Sequence, residues 1–380
     1  MHVIVPIAGR STRFPGMRPK WMLTHPRGDM MVIEALKGLP LKQAGKIIIV
    51  GLSEHEQRFG FRRFLTTQLE ALGVGERVEF VLLDELTRSQ PETIARAIER
   101  AELRGPIYCK DSDNYFEDRL TPENVISCFD LHHLERVNAR NKSYIEINGD
   151  GHLTNIVEKR IINSTFCAGG YSFDDAERFL AYFRQLQDSP DLYISHLIYA
   201  MILDGIVFRH RFVSGYLDWG TVREWNAYKR HYSTLFVNLD GTLVINSGQY
   251  SSPGWGETDG IPQNIAAINA LYETGKVQIV ITTARGPSHR EITIAQLERI
   301  GVKYHRLLDG LAHGRRVVIN DYTRSNPYPS CDAINIACDS TDLHDMLEAT
   351  LGLSIDASPS PPALTPEHLA SLGTKKEQSQ

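Results

Sequence analysis

Residues 3–14 read Val3-Ile4-Val5-Pro6-Ile7-Ala8-Gly9-Arg10-Ser11-Thr12-Arg13-Phe14, and Pro19-Lys20 follow closely. An apolar run enters a small, cationic loop, Ala8–Arg13. Gly9 lets the backbone approach a ligand closely. Ser11 and Thr12 offer hydroxyls and backbone N–H groups, while Arg13 and Lys20 bring positive charge to the same rim. A triphosphate needs backbone donors in a concave nest and cations against developing charge. A βα turn with ordinary surface Arg and Lys is the plainer reading. Further along, the apolar stretch Pro106–Lys110 runs into Asp111-Ser112-Asp113-Asn114. Two carboxylates just past a buried strand suit magnesium, which takes hard oxygen ligands and bridges phosphates. The plainer reading is a turn whose side chains bond local N–H groups.

These loops need elements to hold them. Val3–Ile7, Lys46–Gly51, Val78–Leu83 and Pro106–Lys110 have strand character. Helical patterns at Met31–Gly38, Glu56–Leu72 and Thr93–Leu103 lie between them. This alternation predicts a mostly parallel sheet covered on both faces, with ligands at the carboxyl ends of its strands. The spacing then predicts shorter strands at Ser143–Ile147, Leu153–Glu158 and Cys167–Phe173. The Asn148-Gly149-Asp150-Gly151 turn makes a hairpin of the first two. Helices at Asp175–Leu186 and Tyr193–Leu203, a strand at Ile206–Val213 and a helix at Val222–His231 complete an expected domain over 1–231. A second βα series follows over 234–353. Its strands are expected at Leu235–Val237, Val277–Thr283 and Val317–Ile319, and its helices at Ile261–Glu273, Ser288–Ile300 and Asp342–Thr350. Residues 354–380 are rich in Pro, Ser, Lys and Gln without apolar periodicity, so a disordered tail is expected there.

The loop Ala8-Gly9-Arg10-Ser11-Thr12-Arg13 followed by Pro19-Lys20 resembles the signature of the sugar-phosphate nucleotidyltransferases. Over Met1–Lys229 four more segments agree in order. Asp111 and Asp113 follow a strand, and the choice of metal ligand between them stays open. Asp218, in Leu217-Asp218-Trp219-Gly220-Thr221, resembles the family's distant second metal ligand, or serves as an N-cap. Glu158-Lys159 resembles the pair that holds the acceptor, the lysine on its phosphate and the glutamate on the acceptor itself. Ser89-Gln90-Pro91-Glu92-Thr93 resembles the segment that reads the base, through Gln90. Gly169 and Gly170 would line the acceptor pocket. Trp21 departs from the family's pattern, in which proline often follows the lysine.

The resemblance implies a GT-A-like, Rossmann-like α/β domain with a mixed sheet. It also implies transfer of a nucleoside monophosphate from a triphosphate to a phosphorylated small acceptor with Mg²⁺, releasing pyrophosphate. Arg13 and Lys20 would stabilise the triphosphate, Lys159 the acceptor phosphate, and Ala8, Gly9, Ser11, Thr12, Gln90, Glu158 and Gly169 would bind substrate. CTP is favoured, because relatives of this branch often use it; UTP, GTP and dTTP stay open. The acceptor is a sugar 1-phosphate or a small phosphorylated non-sugar, in surface-polysaccharide precursor synthesis. Relatives commonly associate into homo-oligomers.

Leu235-Phe236-Val237-Asn238-Leu239-Asp240-Gly241-Thr242-Leu243 resembles motif I of the haloacid dehalogenase superfamily. Val280–Arg285 and Val317–Asp321 resemble its second and fourth motifs. The resemblance implies a Rossmannoid phosphatase-like domain. Asn238 stands where the nucleophilic aspartate should be, Asn320 replaces another acid, and Leu311-Ala312 stands where the third motif's lysine is usual. A neutral amide is a poor nucleophile, so the expected domain is inactive or regulatory. Asp240 and Asp321 could keep a weak metal site. Retained phosphatase activity and a nucleotide-binding regulatory protein are the alternatives.

The 380 residues carry 41 Lys and Arg and a net charge of −5, which gives no general affinity for nucleic acid. No apolar run reaches the length of a membrane span. The start reads as the first strand of a cytoplasmic protein, without a signal peptide's regions. Five cysteines without a C-x-x-C pair suggest reduced thiols rather than disulfides or zinc.

Overall fold

The computed structural model describes residues 1–134, 139–321, 331–352 and 354–355. The chain divides into two compact units, Met1–Trp225 and Asn226–Gln380.

The first unit contains, in chain order, β1 (His2–Pro6), α1 (Met31–Leu36), β2 (Ile47–Leu52), α2 (Ser53–Phe59), α3 (Phe61–Ala71), β3 (Val78–Leu83), α4 (Gln90–Arg100), β4 (Ile107–Lys110), β5 (Asn114–Glu117) and β6 (Val125–Asp130). Then come β7 (Ser143–Ile147), β8 (Leu153–Glu158), β9 (Thr165–Phe173), α5 (Ala176–Leu186), α6 (Ile194–Leu203), β10 (Arg209–Phe212), β11 (Ser214–Asp218) and the start of α7 (Val222–Lys229). The sheet order is β10-β6-β9-β4-β1-β2-β3, with the β7–β8 hairpin attached through β9. β4, β1, β2 and β3 run parallel, and β9 runs antiparallel to β4 and β6, so the sheet is mixed. β5 and β11 form a separate antiparallel ribbon.

Every residue of β2 is buried, as a strand covered on both faces requires. Alternate side chains sort to opposite faces. Ile4, Ile48 and Val50 share a core with Ile94, Phe179 and Ile198 of α4, α5 and α6. Val3, Ile47 and Ile49 share another with Val32, Phe61 and Leu65 of α1 and α3, together with Trp21.

The expected strands near Val3, Lys46, Val78 and Pro106 are present. The single helix expected over Glu56–Leu72 is two helices, because Gly60 adopts φ 57° between them. L side chains avoid that conformation, so glycine breaks the helix there. The strand expected over Ile206–Val213 is β10, confined to Arg209–Phe212 and paired with β6; β11, beyond that range and paired with β5, was not expected. β5 is only four residues long, and β6, though largely apolar over Val125–Phe129, was not expected. They are strands because β11, β9 and β10 supply their backbone partners.

In the second unit β12 (Ser233–Asn238), β13 (Val277–Thr282) and β14 (Arg306–Leu308) form a parallel sheet in sequence order. α8 (Pro262–Glu273), α9 (Arg290–Arg299) and α10 (Leu343–Leu351) accompany it. Leu239, Ile268, Ile279 and Leu297 are central to its core. The strand expected at Val317–Ile319 is not formed, and those residues are 68%, 64% and 94% exposed. Apolar β-branched residues favour a strand only where a neighbouring backbone and a covering layer exist. The expected tail lies, apart from Ser354 and Ile355, outside the described residues.

Among the described residues no helix is long and apolar enough to cross a membrane. Cys109, Cys128 and Cys167 are buried in β4, β6 and β9, and Cys331 and Cys338 are exposed; all are free thiols. Burial pushes the Cys167 thiol up to about 12, which makes a thiolate there scarce.

Candidate active site

The loop after β1 is shaped by its own hydroxyl and by an aromatic anchor. Ser11 takes φ 50°, and its Oγ accepts from the Lys20 backbone N–H at 3.0 Å. Trp21 is 1% exposed and packs edge-on against Phe61 at 5.0 Å. The residue that departs from the family's proline is thus a core anchor. Lys20 Nζ pairs with Asp113 Oδ2, and Arg13 Nη2 lies 3.5 Å from the same oxygen. Gly9 has open space where a Cβ would stand.

The β4–β5 loop and the end of β11 are tied by the Trp219 N–H, which donates to the Asp113 carbonyl at 2.9 Å. Asp218 Oδ1 accepts from Gly220 N at 2.9 Å, and Asp218 Oδ2 pairs with Lys142 Nζ. A Cβ on Gly220 would lie 3.1 Å from Asp218 Oδ1, 3.3 Å from Arg13 Nη1 and 3.4 Å from Asp113 Oδ2. These three side chains border a single point, and a Cβ at Gly220 would crowd all of them. Asp111 faces elsewhere. Its Oδ1 accepts from Gln90 Nε2 at 2.6 Å, and its backbone N–H donates to the Gly169 carbonyl at 2.9 Å. Gly169 has φ 92°, and a Cβ there would stand 2.6 Å from Asp111 Oδ2.

The two aspartates of the loop are electrostatically distinct. Burial works to raise the Asp113 carboxyl, but Lys20 and Arg13 overcome it and hold that group well below the usual carboxylate range. Burial and the neighbouring Asp113 charge raise Asp111. Burial opposes the charge of Lys142, yet Tyr216 and Asp218 together raise it above an ordinary lysine. Lys142 Nζ also donates to Tyr216 Oη at 2.6 Å. Sequence reasoning missed Lys142; it sits in a polar stretch ahead of β7, and only the fold brings it to Asp218.

Glu158 Oε2 accepts from Ser143 Oγ at 2.5 Å and from Ser195 Oγ at 2.9 Å. Lys159 takes φ 56°. Its Nζ donates to Tyr193 Oη and stands 4.2 Å over that ring. Gln90, expected near a base, donates from Nε2 to Asp111 Oδ1.

Magnesium can be tested against this donor set. Among the described residues no group of three or more His, Cys, Asp or Glu side chains is gathered as a metal site. Magnesium typically takes one or two carboxylates and completes its octahedron with water and substrate phosphates. Asp113 and Asp218, converging on the clear point beside Gly220, are such a pair. The lysines now paired to them show that each carboxylate binds a cation. The residues fit the ion.

His25 lies near this region, its ring 5.1 Å from Trp219. Burial, then Arg27 and Lys37, lowers its pKa to about 3. Glu34 Oε2 is 4.0 Å away, too far to hold the proton against Arg27 and Lys37, which share that carboxylate. The folded value lies below the unfolded 6.5. The unfolded chain therefore binds the extra proton, and stability present above pH 6.5 is lost as pH falls toward 3. His25→Asn is expected to flatten the slope of melting temperature against pH between 6.5 and 4. Equal slopes in the two proteins would refute this.

In the second unit the Asp240 carboxylate is gripped by Arg285. Nη2 donates to Oδ1 at 2.6 Å and Nε to Oδ2 at 3.1 Å. Arg285 is fully buried and also donates to Gln296 Oε1 at 2.6 Å. Asn238 Nδ2 donates to the Asp240 carbonyl at 2.6 Å. Asp321 lies in the exposed stretch that was expected to follow a strand.

No family model matches the chain, and no curated protein matches it. Solved structures do, over the N-terminal part. A nucleoside-diphosphate-sugar pyrophosphorylase from Vibrio cholerae overlays with a TM-score of 0.50 at 18% identity, covering 60% of this chain and 98% of that one. The first unit shares that protein's fold. The inositol-1-phosphate CTP transferase of T. maritima matches at 14% identity with a TM-score of 0.47, covering 59% of this chain and 90% of its own.

Proposed function

We propose that the first unit is a nucleotidyltransferase that joins a nucleoside monophosphate to a phosphorylated small acceptor. The observation that carries this reading is the convergence of Asp113, Asp218 and Arg13 on the point beside Gly220, with Lys20 on Asp113. In the reaction an acceptor phosphate oxygen forms a bond to the α-phosphorus of the triphosphate. The bond to the bridging oxygen breaks in line, and its electron pair leaves with pyrophosphate. No covalent enzyme intermediate is needed, so positioning and charge neutralisation do the catalysis. Asp113 and Asp218 would hold magnesium, which when bound neutralises phosphate charge. Arg13 and Lys20 stabilise the triphosphate and the leaving group. Opening of the Lys20–Asp113 pair would free Lys20 for phosphate and Asp113 to hold the ion.

The acceptor side is Glu158 and Lys159. Lys159 is set at a positive φ beside Tyr193, where it can turn to an acceptor phosphate. Lys159→Met is expected to raise the acceptor KM about 10–100-fold and leave kcat within about threefold, the pattern of lost uniform binding. An unchanged KM removes Lys159 from the acceptor site.

CTP is the favoured nucleotide, a sugar 1-phosphate or phosphorylated metabolite the acceptor, and surface-polysaccharide precursor synthesis the setting. The second unit is a phosphatase-like domain without phosphatase activity. Asn238 in place of a nucleophilic carboxylate and the Asp240–Arg285 pair support that reading. The deciding experiment is a pyrophosphate-release screen of each triphosphate against a panel of phosphorylated acceptors with Mg²⁺. Release in one combination is the expected result, and silence throughout refutes the reading.

A further inference from the structure

Lys110 is the last residue of β4 and has 0% exposure. The chemistry proposed above does not use it. Burial lowers its pKa to about 7, while the Asp111, Asp113 and Asp118 charges act to keep it protonated. The protonated ammonium has three N–H donors and no acceptor, and burying it without partners is very unfavourable. Here Nζ donates to the Asp111 carbonyl at 2.9 Å, to the Asn114 carbonyl at 2.9 Å and to Asn114 Oδ1. It also stands 4.2 Å from the centre of the Phe116 ring. All three acceptors belong to one turn, Asp111–Asn114. That turn carries both loop aspartates, and its Asp113 carbonyl receives the Trp219 N–H beside Asp218.

An all-carbon side chain at this position would take away the donor that these three oxygens share. The turn would have to open to reach water, and Asp113 would move with it. A surface lysine in this loop would do nothing of the kind; the effect depends on the ammonium being enclosed.

We propose that Lys110 is a positioning residue, an internal cation around which the Asp111–Asn114 turn is wound so that Asp113 stays in register with Asp218. The geometric part stands on the fold alone. The kinetic part rests on the nucleotidyl-transfer reading.

The test has two arms. In the wild-type protein, nitrogen-15 NMR should detect the Lys110 ammonium, assigned through its own side chain, with protons exchanging at least about tenfold more slowly than those of exposed lysines. Exchange as fast as at the surface overturns the clamp, and this arm needs no variant to fold and no activity. In Lys110→Met, backbone amide exchange at Ser112–Asn114 should accelerate at least tenfold. Mn²⁺ affinity, read by electron paramagnetic resonance, should fall at least tenfold, and kcat should fall far more than the acceptor KM changes. Lys110→Arg, which keeps the charge, should recover part of the Mn²⁺ affinity. Wild-type Mn²⁺ affinity and amide exchange in a folded Lys110→Met protein overturn the proposal. A wild-type protein that never releases pyrophosphate defeats the functional reading and leaves the exchange arm valid.

Discussion

Asp218→Ala is expected to reduce pyrophosphate release by roughly a thousandfold, about 4 kcal/mol of transition-state stabilisation. Asp218 gathers several tasks in one carboxylate. It borders the point shared with Asp113 and Arg13, caps Gly220, and neutralises Lys142. The last role complicates a single substitution, because both partners of the Lys142–Asp218 pair are only 12% exposed. Removing one partner of such a pair strands the other charge, at about 3 kcal/mol. Activity and stability would then fall together, and the loss of activity could be mistaken for unfolding. Asp218→Asn combined with Lys142→Met separates the two effects. The double variant should melt closer to wild type than Asp218→Asn alone, while pyrophosphate release stays abolished. Activity that returns along with stability would show that Asp218 matters only as a counter-ion.

The second large effect belongs to the other unit. Arg285→Met strands the Asp240 carboxylate among buried groups and removes a guanidinium that joins Asp240 to Gln296. The Arg285 side chain is 1% exposed, and that of Asp240 18%. Breaking this pair should destabilise the second unit by about 3 kcal/mol, which corresponds to a fall of roughly 6–12 °C in its melting temperature. Scanning calorimetry should show one transition moving and another staying. Pyrophosphate release by the first unit should survive at temperatures between the two. Asp240→Leu with Arg285→Met should regain part of the loss, since an apolar pair leaves no charge unpaired. A calorimetric trace in which neither transition moves would mean that the pair contributes nothing to stability.

The legible parts of this protein were those with a local physical signature. Val3–Pro6 and Ile47–Gly51 are unbroken apolar runs, and such runs are stable only when both faces of a sheet are covered. The Asn148–Gly151 turn bonds itself, Asn148 Oδ1 accepting from the backbone N–H groups of Asp150 and His152, so its hairpin needs no distant information. Strands β5 and β6 are of the other kind. Their residues gain regular structure from ladders to β11, β9 and β10, all far along the chain. Val317–Ile319 shows the converse, a locally strand-like run without a ladder.

The site divides along the same line. Ala8–Arg13, Lys20, Asp111, Asp113 and Asp218, the residues of the proposed site, could be singled out in the sequence because their types and order resemble a phosphate-handling pattern. Which loop carboxylate faces Asp218 could not, since Asp111 and Asp113 are chemically identical and two residues apart. The fold decides it. Asp111 turns to Gln90 and Gly169, while Asp113 turns to Lys20, Arg13 and the Gly220 clearing. Lys142 and Lys110 were invisible for the same reason. A lysine in a sequence reads as a solvated charge, and only tertiary structure can remove the water around it and leave its three protons to particular oxygens.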